Sequence, residues 1–333
     1  MVLAGGKPAN RTIKESTVMT KYRSRLPQLD GGLFLTDGGI ETTLIFHDKL
    51  ELPHFAAFHL MKDASGRASL HKYYARYAEI ARKGSFGFIL ESPTWRANSD
   101  WGDKLGYSEV ALAAANRDSI ALMQELRDEF ETVRSPMVIS GCVGPRGDGY
   151  DPGQVMSAEE AEAYHATQSG TFSKAGVDMV TAITMTNVNE AIGITRAAQA
   201  AGVPAVISFT VETDGRLPTG QDLREAIEEV DESTAGGPVY YMINCAHPTH
   251  FQATFAELGA TVKRVCGLRA NASKQSHQEL NEALDLDDGD PVELADQYRD
   301  LCQRHPQINV LGGCCGTDHR HVAQISVACR KAA

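Results

Sequence analysis

The sequence of 333 residues lacks several features that would assign it to a large class of proteins. It has no apolar run of membrane-spanning length, and residues 1–25 are polar and basic without the apolar core of a signal peptide. Lysine and arginine total 32 against 43 aspartates and glutamates, so the net charge of −11 argues against nucleic-acid and anionic-membrane partners. These absences predict a cytoplasmic protein and leave open whether it forms a homo-oligomer.

Disulfide frameworks and linkers are missing as well. The seven cysteines are an odd number without framework spacing, which predicts reduced, intracellular thiols. Internal repeats, low-complexity tracts and Pro/Ser-rich linkers are absent. We therefore predict a single domain over residues 29–333, preceded by a flexible arm at residues 1–28.

Eight apolar, β-rich runs alternate with helical patterns along the chain. The predicted strands are 33–39, 86–91, 137–143, 178–184, 205–211, 239–245, 262–268 and 308–311. The predicted helices are 70–83, 109–130, 157–174, 188–201, 223–230 and 291–304, with a last helix capped by Thr317 or Asp318. This α/β alternation is typical of a TIM-type (β/α)8 barrel. The competing architecture is a doubly wound open sheet, but the count of eight and the absence of a Gly-x-Gly-x-x-Gly turn favour the barrel.

Two adjacent cysteines, Cys314 and Cys315, lie between glycines directly after the last predicted strand. Glycines permit the tight backbone that lets both thiols bind one metal ion. Cys245 ends another predicted strand, and function in this kind of barrel lies at the C-terminal strand ends. Three thiolates with one free position would make an open zinc site. The alternative is that these are core cysteines, since a free cysteine packs like a small hydrophobe.

Several motifs make the sequence resemble the homocysteine S-methyltransferase family, from about residue 33 to residue 327. They are Thr36-Asp-Gly-Gly39, Ser140-Gly-Cys-Val-Gly-Pro145, Ser208-Phe-Thr-Val211 with Asp214-Gly-Arg-Leu217, Asn244-Cys-Ala-His-Pro248 and Gly312-Gly-Cys-Cys-Gly-Thr317. The resemblance implies a Zn²⁺ ion held by Cys245, Cys314 and Cys315 on a barrel. It also implies transfer of a methyl group from a sulfonium, quaternary ammonium or corrinoid donor to the sulfur of homocysteine, which gives methionine.

Cysteine ligands suit such a methyltransferase, with the three thiolates acting in catalysis through the metal. The homocysteine thiol is mostly protonated at pH 7, whereas the thiolate is the nucleophile. Binding at the open metal position makes the sulfur a thiolate at neutral pH and releases a proton. An all-thiolate set of ligands keeps that sulfur electron-rich, whereas a histidine-rich site is better suited to activating water. The ligands therefore predict alkyl transfer to a thiol acceptor.

Other residues are candidates for binding the substrates. They are Asp37, Gly38, Gly39, Glu91, Trp95, Thr184 and Asn244. The resemblance places Asp37 near the amino group of the substrate, while the structural alternative is a turn aspartate. Gly38 and Gly39 allow a ligand to approach the backbone, or merely a tight turn. Asn244 either binds the substrate or orients a loop. Glu91 and Trp95 suit a cationic methyl donor, or they form a packed rim.

The fourth strand departs from the family pattern. Family members usually read Asp-x-x-x-x-Glu-Thr there, and the glutamate contacts the amino-acid end of homocysteine, whereas this chain has Ile183 at that position. Either homocysteine is held in another way, with Asp37 carrying its ammonium, or the acceptor is a different thiol, as in a demethylase of a methylated catabolite. A non-catalytic zinc or redox-sensing protein is a third hypothesis. The sequence does not name the methyl donor.

Overall fold

The computed structural model describes residues 20–283 and 285–330. Eight parallel strands close into a barrel in chain order, with the first strand paired to both the second and the last. They are β1 Phe34–Leu35, β2 Gly87–Glu91, β3 Met137–Val143, β4 Met179–Met185, β5 Ala205–Phe209, β6 Pro238–Asn244, β7 Val265–Ala270 and β8 Val310–Gly313. The closed barrel confirms the predicted fold class and excludes the open sheet.

Helices surround the barrel, and every predicted helix is present among them. They are α1 Ile40–Thr42, α2 Ala64–Gly84, α3 Ser99–Lys104, α4 Glu109–Phe130, α5 Ala158–Ala175, α6 Val188–Ala200, α7 Leu223–Thr234, α8 Pro248–Phe251, α9 Thr254–Glu257, α10 His277–Glu282, α11 Pro291–Arg304 and α12 His319–Ala328. The sequence patterns missed the short helices α1, α3, α8, α9 and α10, because three to six residues are too few to show a helical period. No helix in the described ranges is both long and apolar enough to span a bilayer.

Side-chain caps explain where two of these helices begin. Ser157 accepts a hydrogen bond from the backbone N–H of Glu160, whose carboxylate accepts one from the N–H of Ser157, so the predicted capping box opens α5. Asp318, rather than Thr317, caps α12 by accepting from the N–H of Arg320. The loop that contains Cys314 and Cys315 therefore spans the short distance from the end of β8 to this cap.

The inside of the barrel is packed near the N-terminal ends of its strands. The strand side chains in this cluster are Phe34, Ile89, Val138, Met179, Val206, Tyr240, Met242 and Val310, all buried. Leu26, from the segment before β1, joins the same cluster. Because this end is filled, the space for a ligand is left at the C-terminal strand ends.

The described end of the predicted arm at 1–28 is bonded to the barrel. The N–H of Tyr22 donates to Asp178 Oδ1 at 2.8 Å, and the Arg23 guanidinium donates to the carbonyl of Val177. Gln28 is buried. Residues 1–19 lie outside the described residues, and the domain boundary at residue 29 stays a prediction.

Candidate metal and substrate site

The three cysteines come together at the C-terminal face of the barrel. Cys245 directly follows β6, and Cys314 and Cys315 directly follow β8. Their sulfur atoms all lie within 4.8 Å of one another, and the sulfurs of Cys245 and Cys315 are 3.8 Å apart. Cys245 and Cys314 are joined as a disulfide, which differs from the reduced thiols that the composition predicted. We refer to these three residues as the sulfur cluster.

Glycines let the loop after β8 pack against the loop after β1. A Cβ atom on Gly39 would lie 2.5 Å from the carbonyl oxygen of Cys314, and one on Gly38 would lie 2.9 Å from that of Thr317. The N–H of Gly39 donates to the same Thr317 oxygen at 3.0 Å. This loop contact by itself requires that Gly38 and Gly39 have no side chain. Both glycines also line a cavity at this face of the barrel.

Backbone strain marks two residues beside the cluster. Cys245 and Thr184 have φ angles of 53° and 65°, a left-handed region that non-glycine residues rarely adopt. Asn244 holds this geometry, since its Oδ1 accepts from the N–H of Thr184 and the hydroxyl of Ser208, and its Nδ2 donates to Thr184 Oγ1. In the structure Asn244 therefore orients the ends of β4 and β6, while contact with a substrate stays a prediction.

The arrangement of the sulfurs fits a zinc ion. Tetrahedral zinc with Zn–S bonds of about 2.3 Å requires ligand sulfurs about 3.8 Å apart, and the pair Cys245 and Cys315 already has that separation. Three ligands leave one tetrahedral position open. Thiolates are the ligands, so the bond between Cys245 and Cys314 must be reduced before all three can bind a metal.

Tyr150 is a member of the site that the sequence did not indicate. Its hydroxyl lies 3.3 Å from Cys315 Sγ and 3.9 Å from Cys245 Sγ. Its ring stacks on His277 with centroids 4.1 Å apart, and His277 Nε2 lies 2.7 Å from the carbonyl oxygen of Cys245. Burial raises the pKa of Tyr150 well above its ordinary value, so the phenol keeps its proton and can donate it towards sulfur.

A second group of residues lies at the ends of β1, β2 and β7, and we call Asp37, Glu91 and Arg269 the charged cluster. The Arg269 guanidinium donates to Asp37 Oδ1 at 2.7 Å and to Glu91 Oε2, and all three side chains are buried. The Tyr73 hydroxyl also donates to Asp37, at 2.9 Å. Asp37 was expected to bind the substrate ammonium, but here its two oxygens already have protein partners.

The electrostatics of the charged cluster follow from its burial. Burial raises the pKa of Asp37 and of Glu91, and Arg269 opposes this rise in both. Burial alone would lower the pKa of Arg269, but the two carboxylates raise it overall. Arg269 therefore stays charged, and with both acids ionised the cluster carries one net negative charge.

One cavity of about 200 Å³ connects the two clusters. Its walls contain every site residue predicted from the sequence except Asn244, together with Glu41, Tyr74, Arg96, Tyr150 and Ile183. Trp95 donates its indole N–H to the carbonyl of Ile183 at 3.2 Å. Arg96 lies between two indole rings, 4.4 Å from that of Trp95 and 3.6 Å from that of Trp101. The cavity thus combines thiols, carboxylates, guanidinium groups and aromatic faces.

Comparison with known proteins identifies the family to which this chain belongs. The family model for homocysteine S-methyltransferase matches residues 34–329. Homocysteine S-methyltransferase 1 from Arabidopsis thaliana is 23% identical over 320 residues, covering 89% of this chain and 93% of that protein. The protein of the same name from Brassica oleracea var. italica is also 23% identical, with the same coverage.

Solved structures give the same fold. The metallated form of the homocysteine methyltransferase MmuM from Escherichia coli has a TM-score of 0.72 at 19% identity, covering 92% of this chain and 99% of that chain. Its oxidised form has a TM-score of 0.70 at the same identity and coverage. At this level of identity the likeness shows the shared barrel.

Proposed function

The chain belongs to the homocysteine S-methyltransferase family, and from that premise we propose that it is a zinc-dependent enzyme that methylates L-homocysteine to methionine. The observation that carries this proposal is the sulfur cluster, whose three sulfur atoms lie together at the C-terminal face of a barrel and, once reduced, would fit a metal with one open position. When bound, zinc would keep the acceptor sulfur as a thiolate at neutral pH.

The protein side chains would keep the metal ligands in place. Asn244 bonds to the strained residue Thr184 and directly precedes Cys245, and its Nδ2 lies 3.8 Å from Cys314 Sγ. Tyr150 directs its hydroxyl at Cys315 Sγ. Donation to a thiolate reduces the negative charge on that ligand, and both groups therefore support three thiolates at one point.

The cavity favours a cationic methyl donor. Glu41, Asp37 and Glu91 line it, against Arg269 and Arg96, and Arg96 faces Asp148 at 3.5 Å. This excess of carboxylates, with the faces of Trp95 and Tyr74 nearby, suits a sulfonium or quaternary ammonium group. In the transfer, the acceptor thiolate forms a bond to the methyl carbon while the bond from that carbon to the onium centre breaks, and the donor leaves uncharged. In-line placement of the two substrates is the main requirement.

A second candidate is the same transfer to a thiol other than homocysteine. Ile183 supplies no charge at the position where the family has a glutamate, and Asp37 is bonded to Arg269 and Tyr73. Ile183 offers an ammonium no partner, and Asp37 would have to share with it a charge that Arg269 already balances in part. An acceptor thiol without an amino group would need no such partner.

The test uses reduced, zinc-loaded protein and L-homocysteine, with S-methylmethionine, betaine and S-adenosylmethionine offered separately. Methionine is measured by mass spectrometry. Methionine from one donor would support the first candidate and name the donor. If zinc is bound and no donor yields methionine, while another thiol is methylated, the second candidate is favoured. Stoichiometric zinc without transfer to any thiol would overturn both.

A further inference from the structure

Glu41 is a carboxylate on the cavity wall that belongs to neither the sulfur cluster nor the charged cluster. It lies in α1, two residues after Gly39, and is half-buried at the wall of the cavity that the sulfur and charged clusters share. Among residues 20–283 and 285–330, none forms an ion pair with it or donates a side-chain hydrogen bond to it. Burial raises the pKa of Glu41 to about 7. A hydrogen bond from its own backbone N–H opposes this rise, as do Arg96 and Arg269, whereas Asp37 adds to it.

The cations nearest to Glu41 are engaged elsewhere. Arg269 donates to Asp37 and Glu91. Arg96 donates to the carbonyl of Gly147 at 3.1 Å and faces Asp148. A carboxylate removed from water is unfavourable unless a countercharge or hydrogen-bond donors reach it. When Glu41 is ionised, its charge therefore lies on the wall of a cavity where the two neighbouring guanidinium groups already have partners among the described residues.

We propose that Glu41 binds the positively charged group of a substrate in this cavity. This inference rests on the proposed function, because it assigns a binding role within the same site. The group is an ammonium or onium cation, with one carboxylate beside it and aromatic faces from Tyr74 and Trp95 on the cavity wall. Two substrates of the reaction carry such a group, the amino-acid acceptor and the methyl donor.

Ile183 on the cavity wall supplies no charge for a cation, so the negative charge must come from another residue such as Glu41. Ile183 is buried and apolar, and its carbonyl oxygen is taken by Trp95. Asp37 and Glu91 share one guanidinium, which already balances part of their charge. Among the described residues that line the cavity, Glu41 is the carboxylate that forms no ion pair.

The test compares zinc-loaded wild-type protein with Glu41→Gln, which keeps the shape of the side chain and removes its charge. Glu51→Gln is the matched control, since Glu51 is exposed. Dissociation constants are measured by calorimetry and KM values from methionine formation. The expected result is a rise of about 10-fold or more in Kd and KM for the cationic substrate in Glu41→Gln only. Zinc content and the melting temperature serve to show that the variant is folded and loaded.

Two acceptors distinguish the source of the cation. One is L-homocysteine, and the other is 4-sulfanylbutanoate, which lacks the amino group. A weaker binding of homocysteine with unchanged binding of 4-sulfanylbutanoate assigns Glu41 to the acceptor ammonium. A higher KM for the donor with either acceptor assigns it to the donor cation.

Failure of the inference differs from failure of the proposed function. If the wild-type protein forms methionine and Glu41→Gln binds every substrate equally well, only the role of Glu41 is overturned. If the zinc-loaded wild-type protein binds none of these cations and methylates no thiol, both are overturned. Recovery of part of the affinity in Glu41→Asp would further support a role for the charge.

Discussion

The sulfur cluster and the charged cluster lie on the same face of the barrel, yet they differ in whether their side chains already bond to other protein groups. Cys245, Cys314 and Cys315 are the proposed ligands of a metal with one open position, whereas Arg269 bonds to both Asp37 and Glu91. The proposed metal site would be open to a substrate, whereas the three members of the charged cluster already bond to one another. Convergence of polar side chains at strand ends is therefore not enough to identify a binding group, because some of them bind only each other.

The largest effect on activity is expected from removing a ligand of the sulfur cluster. Cys314→Ser removes one of three thiolates, and we expect metal affinity and methyl transfer to fall by more than about 100-fold, beyond the loss seen when a partner behind a ligand is removed. Zinc per chain is measured by mass spectrometry after dialysis, and transfer by methionine formation.

The control is Cys266→Ser. Cys266 packs against the apolar cluster at the other end of the barrel, and its thiol contacts the carbonyl of Lys263. This variant should keep its zinc and its activity. Full activity in Cys314→Ser would place the reaction away from the sulfur cluster.

Removing the guanidinium of the charged cluster should lower the stability of the fold. Arg269→Met leaves Asp37 and Glu91 buried without their shared countercharge, and we expect a loss of about 3–5 kcal/mol in the free energy of unfolding. Burial raises the pKa of both acids, so the penalty is present when they are ionised and is relieved as the pH falls through their folded-state values. The loss should thus be larger at pH 8 than at pH 5 in urea titrations.

Two further variants sharpen this result. Arg264→Met breaks a half-exposed ion pair with Asp231 and a hydrogen bond to the carbonyl of Pro238, and should cost less than Arg269→Met because water can reach the groups left behind. Arg269→Met combined with Glu91→Gln should be more stable than Arg269→Met alone, since one unpaired charge is removed. An Arg269→Met protein as stable as the wild type would show that the two carboxylates are not held by this guanidinium.

The same contrast explains which residues could be found from the sequence. The barrel followed from eight alternating apolar runs, and the cysteine loop from glycines directly beside Cys314 and Cys315, so both signals are local. Arg269 lies 232 positions from Asp37, and the predicted seventh strand ended at residue 268. A charged residue in a buried strand has no local pattern, because its partners come from other strands.

Glu41 and Tyr150 were missed for a related reason. Glu41 belongs to a helix of three residues, and Tyr150 to a loop between β3 and α5, so neither has a period that indicates which way it faces. Asp37 is a case in which the sequence indicated the residue but not its partner. Its position was expected from the resemblance, but its partner Arg269 was not, and the partner changes what Asp37 can bind.

Glu41 belongs to neither cluster, and we expect a smaller change in the free energy of unfolding when its charge is removed. Its pKa of about 7 exceeds the ordinary value of 4.5, so ionisation costs folding stability between these values as the pH rises, and the full cost is present above about pH 7. Glu41→Gln should therefore gain stability relative to the wild type from pH 5 to pH 8. We expect about 1–2 kcal/mol, less than the full linkage because the side chain faces an open cavity.

Urea titrations of both zinc-loaded proteins at several pH values measure this gain. Saturation with the cationic substrate should stabilise the wild type more than the variant, and so reduce the difference at pH 8. A difference that does not change with pH would mean that Glu41 is not held in a desolvated setting.

The smallest effect is expected from Tyr150→Phe. This variant tests whether the sulfur cluster depends on the Tyr150 hydroxyl, which comes from the loop between β3 and α5. The change removes the hydroxyl beside Cys315 and keeps the ring stacked on His277. One hydrogen bond to a charged acceptor is worth about 1.5–3 kcal/mol at most, and a long contact to sulfur less, so activity should fall by about 10-fold or less with zinc retained. His277→Ala should cost as much or more, because it removes both the ring stacked on Tyr150 and the contact with the carbonyl of Cys245. Loss of zinc from Tyr150→Phe would show that the sulfur cluster depends on a fourth protein group, and the contrast with the charged cluster would then disappear.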